Sequence, residues 1–271
     1  MSIQNVIIVT KPKQAEVARV AAELEAWFKK KGITATQAPE SASAADLAVV
    51  VGGDGTLLAA ARLLADRQVP IVAINYGGLG FLTELTRDEM YSALEGVCTD
   101  CYITEERMMM DIHLSHDGQP PDLFRALNDV VIHKAGGTMS RMIELEARVD
   151  GQYLSRFRAD GLIVATPTGS TGYNLSAGGP IVFPTMSAMI VTPICSHTLT
   201  NRPIVLPGNV KIEITLRSEH DDVYITVDGQ VGGALPMDGN LTVEKSGVMV
   251  KLVSPADKNY FDVLRGKLKW G

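Results

Sequence analysis

The chain has 271 residues, room for one large domain or two of ordinary size, and its 46% hydrophobic and 21% charged content is that of a globular protein with a full core. A formal net charge of −6 argues against a nucleic-acid partner, which calls for basic faces, but permits small phosphate-bearing ligands that need only a few local donors. No apolar stretch is long enough to span a bilayer, and Met1 to Asn5 lack a basic region followed by an apolar one; no membrane association is expected, and the expected location is the cytoplasm.

Val6-Ile7-Ile8-Val9 reads as a short buried strand. Val17, Val20, Ala21, Leu24, Trp27 and Phe28 then recur at helical spacing, with Gly32 as a stop. Leu47 to Val51 is a second buried strand, running into Gly52-Gly53-Asp54-Gly55-Thr56 and a helical pattern that ends near Arg67. Val69 to Asn75 is a third strand, again followed by glycines (Gly77, Gly78, Gly80). Alternating strands and helices imply a parallel sheet with helices on both faces, so residues 1–100 are expected to form an open α/β, Rossmann-like domain. Cys98-Thr99-Asp100-Cys101 has no second cysteine pair for zinc and leads into a strand instead of opening a helix; free thiols are expected.

From about Cys101 the pattern changes to short strands joined by turns. Asp117-Gly118, Asp150-Gly151, Asp228-Gly229 and Asp238-Gly239 are hairpin-type dipeptides between apolar runs. Residues 101–253 therefore read as a β-rich, sandwich-like domain, with Met108-Met109-Met110 as core filling. Residues 254–271 form a tail in which Val263, Leu264 and Leu268 fit a short helix or strand.

Two loops carry the chemistry. The turn at 52–56 lies at the carboxyl end of a strand, where open α/β sheets bind ligands, and its glycines let the backbone approach closely. Gly52, Gly53 and Thr56 are candidates for holding phosphate. A carboxylate at Asp54 would repel phosphate unless it has another task, such as holding and deprotonating a hydroxyl that receives a phosphoryl group. The other reading of Asp54 is an N-cap for the following helix.

The second loop follows the strand Leu162–Ala165 and is dense in glycine and hydroxyls. Thr168, Ser170 and Thr171 can donate to phosphate or ribose oxygens and Tyr173 can stack on a base; the alternative is a polar surface turn. Asn128-Asp129 precedes Val130-Val131-Ile132 and suits hydrogen bonds to ribose hydroxyls, or an Asx-type turn. Arg141 and Arg158 offer guanidinium forks for phosphate, or are surface strand residues. No Walker-type loop occurs, which excludes a P-loop kinase, and no G-x-G-x-x-G follows the first strand, which weakens a dehydrogenase reading.

Gly-Gly-Asp-Gly-Thr at 52–56, Asn128-Asp129, the run from Asp160 to Pro180, Asn201-Arg202-Pro203 and Asp228-Gly229-Gln230 together resemble the NAD kinase family, from about Val49 to Gln230. The glycine–aspartate turn is shared with diacylglycerol-type lipid kinases and phosphofructokinases; the long second motif is far more specific. The resemblance implies an N-terminal α/β domain and a C-terminal β-rich domain, with the tail packing back on the first. It implies transfer of the ATP γ-phosphoryl group to the 2′-hydroxyl of the adenosine ribose of NAD, with Asp54 as proton acceptor. Gly55 would then approach NAD, Asn128 and Asp129 would bind the ribose of the nicotinamide half, and Arg141, Arg158 and Asp160 would line the site. Thr171, Gly172, Tyr173 and Ser176 would contact NAD, Gln230 would complete the site, and Phe81 would lie near the adenine. A divalent cation, normally Mg²⁺, and a homo-oligomer (dimer or tetramer) are implied as well; the metal ligands cannot be named.

Gly172 stands where alanine is common in the family, which loosens the loop, and Asp129 where glutamate is common, which shortens its reach. Two alternatives use the same turn. A lipid kinase would bring an apolar access surface, and none is legible. A non-catalytic NAD- or NADP-sensing protein would have no evident need for Asp54.

Overall fold

A computed structural model describes residues 3–11, 15–38, 44–77, 80–83, 85–115, 120–134, 142–198, 200–218, 223–254 and 259–270. The chain divides into two compact units, residues 1–106 with 248–271, and residues 107–247.

The first unit opens with strand β1 (Asn5–Thr10), helix α1 (Ala15–Lys30), β2 (Thr34–Thr36), β3 (Leu47–Gly52), α2 (Asp54–Leu64), β4 (Pro70–Asn75) and α3 (Met90–Cys98). Strands β2, β1, β3 and β4 pair side by side, all parallel, because each is separated from the next by a crossover and not a hairpin. The strands' two-residue period then divides their apolar residues between two faces. Val6, Ile8, Val49, Val51, Val72 and Ile74 pack with Leu24 and Phe28 of α1 and with Met90 and Leu94 of α3. Helix α2 buries Leu57, Leu58, Ala60, Ala61 and Leu64 against β1 and β3 without joining that cluster, which puts it on the opposite face.

Neither β2 nor α3 is among the elements expected from sequence. A three-residue strand has no periodicity to read, and α3 buries only Met90, Leu94 and Val97. The C-x-x-C segment is where α3 stops: Asp100 adopts φ 60°, its N–H donates to Val97 O and the Cys101 N–H to Gly96 O. That is a Schellman-type helix end. Cys98, Cys101 and Cys195 are free.

Strand β5 (Ile103–Ser115) leads into the second unit, which holds β6 (Asp122–Ala126), β7 (Asp129–Lys134), β8 (Ile143–Val149), β9 (Gln152–Ala159) and β10 (Gly161–Ala165). A 3₁₀ turn (Thr168–Thr171) and the one-turn helix α4 (Tyr173–Ser176) follow, then β11 (Ala188–Ile194), β12 (Ile204–Pro207), β13 (Ile212–Leu216), β14 (Val223–Val227) and β15 (Val231–Ala234). One sheet runs β12-β11-β10-β7-β14-β15; β13, β8 and β9 belong to the other sheet, where they pair antiparallel in the spatial order β13-β8-β9. Two hairpins turn where the Asp-Gly dipeptides place them: Asp150 and Gly151 have φ 49° and 75°, Asp228 and Gly229 φ 49° and 65°, whereas Asp238-Gly239 leads from β15 to a strand of the other sheet and closes no hairpin. Positive φ at both central residues is the requirement of a type I′ turn. Asp117-Gly118 lies outside the described residues. Met108, Met109 and Met110 are core residues, all buried.

Strand β16 (Asn240–Ser254) pairs antiparallel with β13 and then, in the first unit, parallel with β4 through Lys251 and Leu252. Helix α5 (Tyr260–Leu268) closes the chain, its start fixed by a capping box between Asn259 and Asp262. An α/β first unit and a β-rich second unit form the fold class expected from the sequence. Among the described residues no helix is long and apolar enough to cross a membrane.

Candidate active site

In the first unit β3 ends at Gly52 and α2 begins two residues later, with Gly53 in the cap position in extended conformation. Asp54 is therefore the first helical residue and not the N-cap. A Cβ at position 52 would lie 2.4 Å from Thr56 Oγ1, so the tight turn needs glycine there. The Asp54 carboxylate reaches to the loop that follows β4. Its Oδ2 accepts the Phe81 N–H at 2.9 Å; its Oδ1 accepts the N–H groups of Leu82 and Thr83 at 3.2 Å each and the Thr83 hydroxyl at 3.1 Å. Gly80 permits this approach, since a Cβ on it would fall 2.0 Å from Asp54 Oδ1. Thr83 is fully buried, Asp54 and Phe81 half-buried, Gly53 and Gly55 exposed. The Lys267 ammonium of α5 lies 5.7 Å from the Phe81 ring centroid, a cation–π contact.

In the second unit the hydroxyl-rich segment after β10 is tied to the turn before β7. Thr166 Oγ1 donates to Leu127 O at 2.6 Å and accepts the Gly169 N–H at 3.0 Å. A Cβ on Gly169 would meet Asn128 O at 2.1 Å. The same turn is held from the other side by Asp228, whose carboxylate accepts the N–H groups of Leu127, Asn128 and Asp129 at 3.2, 2.8 and 3.3 Å. Asn174 pins the segment from below: Nδ2 donates to Ser170 O and Pro180 O, and Oδ1 accepts the Thr192 hydroxyl at 2.6 Å.

These ties shape a cavity of about 670 Å³ lined by Asn128, Asp129, His133, Asp160, Tyr173 and Asp228, among others. Gly172 stands at its edge, its Cβ direction 3.7 Å from both Asn128 Nδ2 and Asp129 Oδ2. Asp129 is buried, and burial, with Asp228 beside it as the second cause, pushes its carboxyl up to about 7. Asn128 Oδ1 and Thr168 Oγ1 are buried atoms with no hydrogen-bond partner among the described residues. His133 Nε2 is 2.8 Å from Thr226 Oγ1, and His197 Nε2 is 4.0 Å from Asp160 Oδ1.

Several sequence candidates thus converge here: Asn128, Asp129, Asp160, Gly172 and Tyr173. Thr171 and Ser176 belong to the same segment; the Thr171 hydroxyl donates to Thr168 O at 3.4 Å, and Ser176 is exposed. Ser170 is a correction. Its hydroxyl is fully buried, donates to Pro167 O at 2.6 Å and accepts the Val182 N–H at 3.1 Å, so it braces the loop and is not an open phosphate donor. Arg158 is exposed, 3.8 Å from Glu144, and does not line the cavity; Gln230 is exposed on the turn after β14. Arg141 lies outside the described residues. Sequence reasoning missed Thr83 and Thr166 as site-building residues, and read Asp228 as a turn former and part of the family motif without its bracing of the 127–129 turn. Among the described residues no cluster of three or more His, Cys, Asp or Glu side chains is placed to hold a metal ion.

Comparison with known proteins bears on both units. Residues 33–102 match the ATP-NAD kinase N-terminal domain, and residues 127–254 the ATP-NAD kinase C-terminal domain. The NAD kinase of Geotalea daltonii is 45% identical over 284 residues, covering 99% of each chain; that of Geobacter metallireducens is 47% identical over 260 residues, covering 94% of this chain and 90% of its own. Yeast NADH kinase complexed with NADH has a TM-score of 0.91 at 26% identity, covering 100% of this chain and 88% of that one. An NAD kinase from Archaeoglobus fulgidus in complex with ATP has a TM-score of 0.79 at 30% identity, with 98% and 99% covered. Identity at this level sustained from end to end, with both domains of the pair matched in order, means that the chain belongs to the NAD kinase family.

Proposed function

We propose that the protein transfers the γ-phosphoryl group of ATP to the 2′-hydroxyl of the adenosine ribose of NAD, giving NADP and ADP, with Asp54 as the proton acceptor. In this step the ribose oxygen bonds to the γ-phosphorus, the bond from that phosphorus to the β–γ bridging oxygen breaks, and the hydroxyl proton passes to Asp54. The observation that carries the reading is the loading of that carboxylate. Oδ1 accepts three donors and Oδ2 one, and a carboxylate has about four acceptor sites in all, two on each oxygen. Oδ2 is left as the oxygen able to take a hydroxyl.

Recognition of NAD is the work proposed for the second unit. Buried polar atoms without partners cost about 1–3 kcal/mol each, and the hydroxyls and amide of NAD would satisfy Asn128 Oδ1 and Thr168 Oγ1. Asp129 and Asp160 border the same cavity, and the exposed Tyr173 ring can stack on a base. Contacts from Gly55, Phe81, Thr171, Gly172, Ser176, Arg158 and Gln230 follow from the family resemblance alone, as does Gly52-Gly53-Thr56 as a phosphate turn.

A divalent cation would be carried on the ATP phosphates with its own waters, the usual way Mg²⁺ is held, since the described residues bring together no cluster of three or more His, Cys, Asp or Glu side chains to hold it. When bound, such an ion offsets phosphate charge. A cytoplasmic homo-oligomer, dimer or tetramer, is part of the same proposal. Both family domains are matched across the chain, which favours this reading over a lipid kinase.

The test is a coupled assay with purified protein, ATP, Mg²⁺ and NAD, with NADP read out by an NADP-specific dehydrogenase. Asp54→Asn should lose at least 10²-fold in turnover while still binding NAD, the lower range for general-base assistance. Near-wild-type turnover of the variant would remove Asp54 from the role. A folded wild-type protein that binds NAD yet makes no NADP, with ATP or with polyphosphate, would favour the sensing alternative.

A further inference from the structure

We infer that Thr83, with the amides of the loop it ends, is the positioning residue for the proton acceptor: it fixes the Asp54 carboxylate so that Oδ2 and not Oδ1 meets the substrate hydroxyl. The inference rests on Asp54 being the acceptor. An aspartate carboxylate rotates in a broad, roughly two-fold well, so an untethered Asp54 would present either oxygen over a wide range of angles. A reacting group has to be held to within about 0.5 Å and 10–20° by residues that are themselves locked in place.

The loop from Gly80 to Thr83 meets that need. Three backbone N–H groups and one hydroxyl converge on Asp54, and three of the four choose Oδ1. This unequal loading breaks the symmetry of the carboxylate. Thr83 is the one side chain among the donors, and it is locked in its own right. It is fully buried, its carbonyl accepts Asn75 Nδ2 at 3.3 Å, and Asn75 sits at the end of β4 with its N–H donating to Leu85 O at 2.7 Å. The Thr83 hydroxyl is therefore referred to the sheet itself. Gly80 completes the device, because any side chain there would displace Asp54 Oδ1 or Thr83 Oγ1, 2.0 and 2.3 Å from its Cβ direction. Hydrogen bonds to an ionised acceptor are roughly twice as strong as neutral ones, so the clamp outcompetes rotation.

The experiment compares Thr83→Val, Thr83→Ala and Thr83→Ser in the wild-type chain and in Asp54→Asn, measuring kcat, KM for NAD and for ATP, and thermal melting. Thr83→Val should lower kcat about 10-fold or more with KM for NAD within about 2-fold, and Thr83→Ser should restore most of the loss. The Ala and Ser variants both lack the methyl group, so their difference isolates the hydroxyl even where Val packs badly. In the Asp54→Asn chain all three should be equally slow, because Thr83 acts only through that carboxylate. Equal kcat for Ala and Ser in a chain where Asp54→Asn is strongly impaired would overturn the inference and leave the acceptor standing. Multiplying losses in the double variants would overturn it too. Retained activity of Asp54→Asn alone would instead sink the acceptor reading.

Discussion

Asp129 is the place where this chain's stability should depend on pH in a way that one substitution abolishes. The residue is 5% exposed and its carboxyl is raised from the usual 3.8 to about 7, first by burial and then by Asp228. The folded chain keeps a proton there that the unfolded chain gives up, so stability falls as pH rises. The contribution is fully present below pH 3.8 and is lost as pH passes through about 7. At 1.36 kcal/mol per tenfold in acidity the whole span is about 4 kcal/mol, of which about 2.5 kcal/mol lies between pH 5 and pH 8. Among the described residues, the other charged or titratable groups bordering the cavity are His133, Lys134, Asp160, Tyr173 and Asp228. Asp129→Asn keeps the volume and removes the titration. Urea unfolding of both proteins at pH 5, 6, 7 and 8 should show the variant gaining on the wild type by about 2–3 kcal/mol across that range. A difference that stays constant with pH would refute the reasoning.

Two further outcomes follow from the same geometry. Asp228→Ala takes an acceptor from three backbone N–H groups of the 127–129 turn, so it should cost about 2–4 kcal/mol by thermal or chemical unfolding and raise KM for NAD, whereas unchanged melting would deny it the bracing role. Gly172→Ala should be tolerated, within about 1 kcal/mol in stability and about 3-fold in KM for NAD, because its Cβ would stand 3.2 Å from Gly169 O and 3.7 Å from the Asn128 and Asp129 side chains; a tenfold rise in KM would show that the open edge is used.

The parts of the fold with strong periodicity were readable from the residues: the Leu47–Gly52 strand with its turn, the long helix through Leu24 and Phe28, and the Asp-Gly hairpins. Short elements such as Thr34–Thr36 were not, since pairing and burial decide them and three residues carry no pattern. At the site, polar residues beside glycines drew notice whether or not their groups are open. Ser170 shows the cost of that signal: as a residue type it suits phosphate, yet its hydroxyl is used up inside its own loop. Thr83 shows the converse. It follows Leu82 in an apolar-looking stretch, and its importance comes from a contact 29 residues away in the chain. Contacts of that kind have no local signature.

Asp54 and Asp228 are one device used twice. Each precedes a glycine, each comes within two residues after a strand, and each collects three backbone N–H groups from a loop remote in sequence. A carboxylate suits this work because two oxygens can accept from several converging amides at once, which no neutral side chain of that size can do. The loops after β4 and before β7 are thereby fixed to strand ends and not left to their own turn preferences. The two sites differ in what remains once the loop is held. Asp54 is half-buried and keeps acceptor capacity on Oδ2, so it can still take a proton. Asp228 is buried, and its cost is passed to its neighbour: Asp129, whose carboxylate accepts no hydrogen bond among the described residues, faces burial and a second carboxylate uncompensated. On the proposed reading a ribose hydroxyl donated to Asp129 would relieve that cost; the burial at 129 would then be a source of affinity for the sugar, and the pH dependence of stability would be tied to that of NAD binding.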